Sequence, residues 1–253
     1  MLPYWHYPTY SIGGLTLQTW GTFVALGILL AVGLAYRRAK TKGLAAADLV
    51  DLGFWMVIAA FLGARLGHVF LYDWGYYREH LNEIGRFWEG GLSSYGGFVG
   101  GALVGAAFLL AKHRQNFWQY ADAALIGLPL GFAVGRIGCF LTHLHPGIKT
   151  DFFLGVQYPD GIRHDLGLYD GLNTLGLAIF LFIFRKKFEK RPGAVTISVM
   201  LWYGGLRFFL DFLRAFDARY LGLTPAQYGS IAMVIGGVWL AIQLRTLSKR
   251  LSN

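Results

Sequence analysis

The chain has 253 residues, 55% of them hydrophobic and only 15% charged, with 8 Trp, 14 Tyr and 20 Phe. This balance excludes a soluble globular enzyme and fits a single integral membrane domain over 1–253. The net charge of +9 does not mark a nucleic-acid binder, because the basic residues sit in connectors between apolar stretches, and the lone Cys139 excludes an internal disulfide.

The first residues, MLPYWHYPTYSIGG, carry no basic n-region, so the first apolar stretch reads as a retained span over 17–36. Six more apolar segments follow at 49–71, 95–112, 118–141, 167–184, 193–213 and 226–244. Each is near the ~20 residues that cross a bilayer core. The expectation is an all-α polytopic membrane protein with about seven transmembrane helices. Connectors after the odd-numbered spans hold 14 of the 23 Lys and Arg, the opposite connectors hold 6, and 3 lie inside spans. The positive-inside bias then places the N-terminus outside and the C-terminus inside.

Span two holds Arg65, with His68 and Tyr72 on the same helix face. The Gly-rich segment GGLSSYGGFVGG leads into span three. Its Ser94, Gly96 and Gly97 suit close backbone approach to a head group, while Gly97, Gly101 and Gly105 have the four-residue spacing of helix packing. Span four repeats that spacing at Gly127, Gly131 and Gly135 and holds Arg136 on one face with Cys139 and His143. Cys139 reads as a small packing residue or, beside a cation, as a nucleophile. The following connector, 142–166, reads as a small external head, with a hairpin around Pro159-Asp160-Gly161. It gathers His143, His145, His164 and Asp165. The H-x-H spacing is a weak metal signal, so no metal is expected there, and the histidines read better as bases or hydrogen-bonding groups. Span six carries Arg207, Asp211 and Arg214 on one face. Asp211 neutralises one arginine and leaves net positive charge.

A bare guanidinium in hydrocarbon costs roughly 2.5–3.5 kcal/mol on insertion scales. Arg65, Arg136 and Arg207 all lie in spans running from inside to outside, each about six residues, or ~9 Å, below the outer end. Three cations at one depth point to an anion site in the outer leaflet, where the nearest anion is a lipid phosphate.

Several motifs together resemble the prolipoprotein diacylglyceryl transferases of bacterial membranes: GARLGHVFLYDWGYY, FWEGGLSSYGGFVGG, GRIGCF, RHDLGLYDGL and WYGGLRFFLDFLRAFDAR. The resemblance implies transfer of the diacylglyceryl group of phosphatidylglycerol to the lipobox cysteine thiol of a lipoprotein precursor, with glycerol phosphate released, and no cofactor. It implies a multi-pass protein of the bacterial inner membrane whose active site faces the outer leaflet. Its partners would be phosphatidylglycerol, the precursor's signal peptide and membrane lipid, not nucleic acid. The family's essential arginines match Arg136 and Arg207, and Asp211 stands where the family usually has Glu. Arg65, Arg214, Asp211, Ser94, Gly96, Gly97 and Tyr169 are then expected around the lipid head group. The chain departs from the family pattern at Tyr95 for histidine, Cys139 for asparagine, Leu144 for an acid, Trp20 for tyrosine, and Asp165-Leu166-Gly167 for Pro-Ser-Gln. Tyr95, His143, His145 and His164 become candidates for the proton transfer that the replaced groups would have supported. A transferase with another acceptor and a non-catalytic lipid binder or flippase are the alternatives.

Overall fold

The computed structural model describes residues 1–217 and 219–252, with Glu89, Ser94 and 247–252 described by backbone alone. The expected head-group contact of the Ser94 side chain therefore lies outside the described residues. The protein is mainly helical. The helices are α1 (Thr19–Thr41), α2 (Ala46–Leu71), α3 (Trp74–Tyr77), α4 (Ser94–His113), α5 (Phe117–Leu125), α6 (Leu128–Thr142), α7 (Leu166–Ile183), α8 (Arg185–Phe188), α9 (Ala194–Leu210) and α10 (Pro225–Ser252). Six stretches among the described residues are long and apolar enough to cross a membrane. One of them, Tyr95–Thr142, is a 48-residue run that contains both the third and fourth expected segments. The fourth segment is not one helix. It breaks at 126–127, and Pro129 sits in the first turn of α6, where its missing N–H costs nothing. The sixth expected segment, α9, stops at Leu210 and tightens into a 3-10 turn over Asp211–Leu213.

The chain forms two compact units, 39–120 and 1–38 with 121–253. In the first, α2 and α4 pack backbone to backbone. A Cβ on Gly96 would lie 2.0 Å from the Gly63 carbonyl oxygen, and one on Gly63 would lie 2.3 Å from that of Gly96. Only glycine on both helices permits this approach. The connector 72–93 returns to α2 through Ser93, whose N–H donates to the Ala64 carbonyl at 2.8 Å and whose hydroxyl caps α4 by accepting from Gly96 N.

In the second unit, α1 and α6 approach in the same way: a Cβ on Gly27 would meet the Gly131 carbonyl at 2.2 Å. α6 packs on α7, α7 on α9, and α9 on α10. Asp122 fixes the start of α9 by accepting from Gly193 N, Thr196 N and the Thr196 hydroxyl at 2.7–2.8 Å. Two small sheets complete the unit. β1 (Thr9–Ile12) and β2 (Leu15–Gln18) form a hairpin with Gly13-Gly14 at its turn, both at positive φ. β3 (Pro146–Lys149), β4 (Val156–Tyr158) and β5 (Gly161–Asp165) pair antiparallel in the order β3-β5-β4. The hairpin expected around Pro159-Asp160-Gly161 is present, closed by the pair Tyr158 and Gly161. The N-terminus straps the β4 side of this sheet, where Leu2 N donates to Gly155 O and Gln157 N to Leu2 O, and then the end of α6, where Tyr7 N donates to Leu141 O.

Candidate active site

Three helices of the second unit bring charged side chains together. α6 supplies Arg136, α7 supplies Asp170, and the end of α9 with its 3-10 turn supplies Arg207, Asp211 and, one residue on, Arg214. Asp170 is fully buried, and Oδ2 lies 2.7 Å from Arg136 Nη2 and 3.6 Å from Arg207 Nη1. Asp211, also fully buried, lies 2.9 Å from Arg207 Nη2 and 3.7 Å from Arg214 Nη1. Arg214 reaches a third acid, the partly exposed Asp217, at 3.4 Å. Arg136 thus pairs most closely with Asp170 and Arg207 with Asp211, and the 3.6 Å approach of Arg207 to Asp170 links the two forks.

The pairing leaves capacity for an anion. Three guanidiniums face the two fully buried carboxylates and, through Arg214, a third acid, Asp217, so the charges balance and what remains for an anion is unused donor capacity. Neither Asp170 oxygen accepts an aligned hydrogen bond, and Arg136 Nε, also buried, has no hydrogen-bond acceptor. The arginine side chains keep 11–22% of their surface exposed, so the cluster is reachable. Arg136 also stacks over Phe132 at 4.7 Å and contacts Cys139 Sγ at 3.7 Å. Desolvated cations in fork geometry pair strongly with phosphate oxygens.

The three histidines fall into different settings. His145 is pushed down to about 3 by burial first, then by the charges of Arg136, Arg214 and Arg207. At neutral pH it is uncharged and a weak base, so it suits hydrogen bonding beside the cluster better than holding a proton. His143 ends α6 in the left-handed conformation, φ 47°. Its Nδ1 lies 2.7 Å from Asp165 Oδ2, Tyr158 donates to the same oxygen at 2.8 Å, and Leu168 N donates to Oδ1 at 2.9 Å. Tyr4 stacks on the His143 ring at 4.2 Å while Phe140 and Tyr158 meet it edge-on, so this histidine is enclosed in the junction of sheet and α7. Burial and the neighbouring Asp165 charge push the Tyr158 phenol up. His164 is partly exposed, its Nδ1 is 2.8 Å from the Tyr169 hydroxyl, and burial lowers its pKa. Among the described residues, no three His, Cys, Asp or Glu side chains are placed to share a metal ion.

Arg65 departs from expectation. Only 2% exposed, it donates from Nε to Ile84 O at 2.7 Å, from Nη1 to Gly90 O at 2.6 Å and Gly91 O at 3.3 Å, and from Nη2 to Glu83 O at 2.6 Å. Tyr77 covers it at 5.1 Å. Carbonyls of the 72–93 connector use the donors that a phosphate would need, so Arg65 clamps that connector to α2. Gly96 and Gly97 likewise face α2, where Gly97 would place a Cβ 3.2 Å from the Ala60 carbonyl. Tyr95 lies beside them in the first turn of α4, half-buried.

Asp170 is the site residue that sequence reasoning missed. Its signal was present: a carboxylate one turn into an apolar helix is costly unless paired. The helix spacing shows which residues share a face of one helix, but not that α7 meets both arginine-bearing helices.

A family model described as prolipoprotein diacylglyceryl transferase matches residues 9–243. The chain belongs to that family. Similar proteins named phosphatidylglycerol–prolipoprotein diacylglyceryl transferase include one from Nitrosomonas europaea, 36% identical, which covers 91% of this chain and 86% of its own length. One from Geobacillus kaustophilus is 32% identical, over 92% and 90%, and one from Thermosynechococcus vestitus is 31% identical, over 97% and 95%. Three of the positions at which the sequence is expected to depart from the family lie near the arginine cluster or the small sheet. Cys139 is buried against Arg136, Leu144 is 51% exposed, and Asp165 both caps α7 and holds His143.

Proposed function

We infer that this protein transfers the diacylglyceryl group of phosphatidylglycerol to the lipobox cysteine of lipoprotein precursors. The observation that carries the reading is the convergence of Arg136 and Arg207 on Asp170 in a chain of this family. The two forks, with Arg214 behind them, hold the phosphodiester. The cysteine sulfur attacks the diacylglyceryl carbon attached to the phosphate oxygen. A C–S bond forms, the C–O bond breaks with its electron pair going to the oxygen, and glycerol phosphate leaves. The developing charge on that oxygen is what preorganised guanidiniums stabilise. The thiol proton goes to a base on the acceptor side. His164 suits this role because it is partly exposed, uncharged at neutral pH and oriented through Tyr169. Tyr95 is the further candidate from the Gly-rich segment.

The 48-residue run Tyr95–Thr142 corresponds to about 72 Å of helix, more than twice a bilayer core. It therefore crosses twice, giving seven spans with the N-terminus outside, the C-terminus inside, the 142–166 segment external, and the arginine cluster facing the outer leaflet of the bacterial inner membrane. Cys139 and Leu144 favour, as a second reading, the same donor chemistry with a different acceptor. Incubating the purified protein with acyl-labelled phosphatidylglycerol and a lipobox peptide separates the two. Label on the peptide cysteine supports the main reading. Lipid consumption without peptide labelling supports the second, and no consumption leaves only lipid binding.

A further inference from the structure

The arginine cluster is anchored at a helix start that the transfer chemistry does not touch. α10 begins with Thr224-Pro225-Ala226-Gln227, a capping box: Thr224 N donates to Gln227 Oε1 at 2.9 Å and Gln227 N donates to the Thr224 hydroxyl oxygen at 3.2 Å. Both residues are fully buried. In an ordinary capping box the hydroxyl proton has no structural task. Here it is donated to Asp211 Oδ2, while Asp211 Oδ1 faces the guanidiniums of Arg207 and Arg214. Gln227 closes the frame by donating from Nε2 to the Phe208 carbonyl, one residue after Arg207. α10 therefore holds the carboxylate from the side opposite the arginines.

We propose that Thr224 is a positioning residue for the phosphate site, its hydroxyl fixing Asp211 so that Asp211 aims the forks of Arg207 and Arg214 at the substrate phosphodiester. This rests on the reading of the cluster as the phosphate site. Two oxygens of one carboxylate divide the work: one is pinned by a neutral donor, the other balances cations. Without the hydroxyl, Oδ2 is buried and unpaired, and the carboxylate rotates to recruit an arginine donor to it, withdrawing that donor from the phosphate. Serine preserves the donor and the cap, whereas valine preserves the shape and removes both. Because a hydrogen bond to a charged group is at stake, the expected loss is about tenfold or more.

The test compares Thr224→Val and Thr224→Ser with the parent protein, using phosphatidylglycerol vesicles and a lipobox peptide, with KM for lipid and kcat measured separately. Thr224→Val is expected to raise the lipid KM or lower kcat/KM about tenfold, and Thr224→Ser to stay within about twofold of the parent. In an Asp211→Asn background, Thr224→Val is expected to add little, because the two act as one unit. Parental kinetics in Thr224→Val, equal damage from serine and valine, or additive losses in the double variant would each overturn the proposal. If Thr224→Val does not fold, Thr224→Ala replaces it with the same outcomes. Inactivity of the parent itself would strike the assigned reaction, not this positioning role.

Discussion

At the scale of single residues, identical letters in similar apolar surroundings do different work. Arg136 and Arg207 look much like Arg65 in the sequence, each a lone cation among hydrophobic neighbours. Carbonyls use up Arg65, whereas the other two share a carboxylate and keep donor capacity. The conspicuous cost of intramembrane charge made the arginines and Asp211 legible, while acceptors supplied by backbone carbonyls leave no trace in residue identity. His145 is kept neutral by burial first and by the cluster's charges second, and this yields a pH prediction. In the unfolded chain it titrates near its ordinary value, about 6.5, but when folded only near 3. The unfolded chain binds its proton first, so its neutral burial costs nothing above about pH 6.5 and lowers stability progressively as the pH falls toward 3. The deficit reaches up to about 2 kcal/mol at pH 5. Thermal unfolding in detergent is expected to show a smaller acid-induced loss for His145→Asn than for the parent between pH 7 and 5. Equal acid sensitivity of the two would contradict this account of His145.

At the scale of elements, glycine decides where helices meet. Gly63 and Gly96 let α2 and α4 touch through backbone, a contact so close that any side chain is excluded. Gly101, on the same face of α4, has ordinary room: a Cβ there would lie 3.6 Å from the Met56 carbonyl. Gly63→Ala is therefore expected to cost about 1–3 kcal/mol or more by forcing the helices apart, and Gly101→Ala to be tolerated. Melting curves followed by circular dichroism distinguish them, and equal melting temperatures would refute the packing argument. The helices themselves were legible because length and apolarity mark them plainly. The four-residue glycine spacing correctly announced packing, but not which helix would be the partner. The kink at 126–127 was missed because hydropathy is continuous across it. The Gly13-Gly14 hairpin was missed although Gly-Gly between short β-prone runs is a hairpin signal. Its flanks read as the approach to a span. The Pro159-Asp160-Gly161 turn, by contrast, carried its own chemistry and formed as expected.

At the scale of the whole molecule, the protein is a helical frame that makes a cationic cluster affordable inside apolar surroundings. α6, α7 and α9 each contribute to it, and α10 fastens it from behind. The charges are stabilised because each of the cluster's buried carboxylates faces two guanidiniums, and the unused donor capacity of the forks is the feature a lipid phosphate would use. The class of the protein was readable from composition and spacing. The sharing of Asp170 was not, because it arises only when three helices separated in sequence pack together. The central claim is that Arg136 and Arg207 act on the phosphate of phosphatidylglycerol. The most direct measurement is release of water-soluble glycerol phosphate from head-group-labelled phosphatidylglycerol vesicles in the presence of a lipobox peptide. It compares the parent with Arg136→Gln and Arg207→Gln, each first shown to fold. The expected result is peptide-dependent release by the parent and a loss of about 100-fold or more in each variant. Undiminished release by both variants would contradict the account.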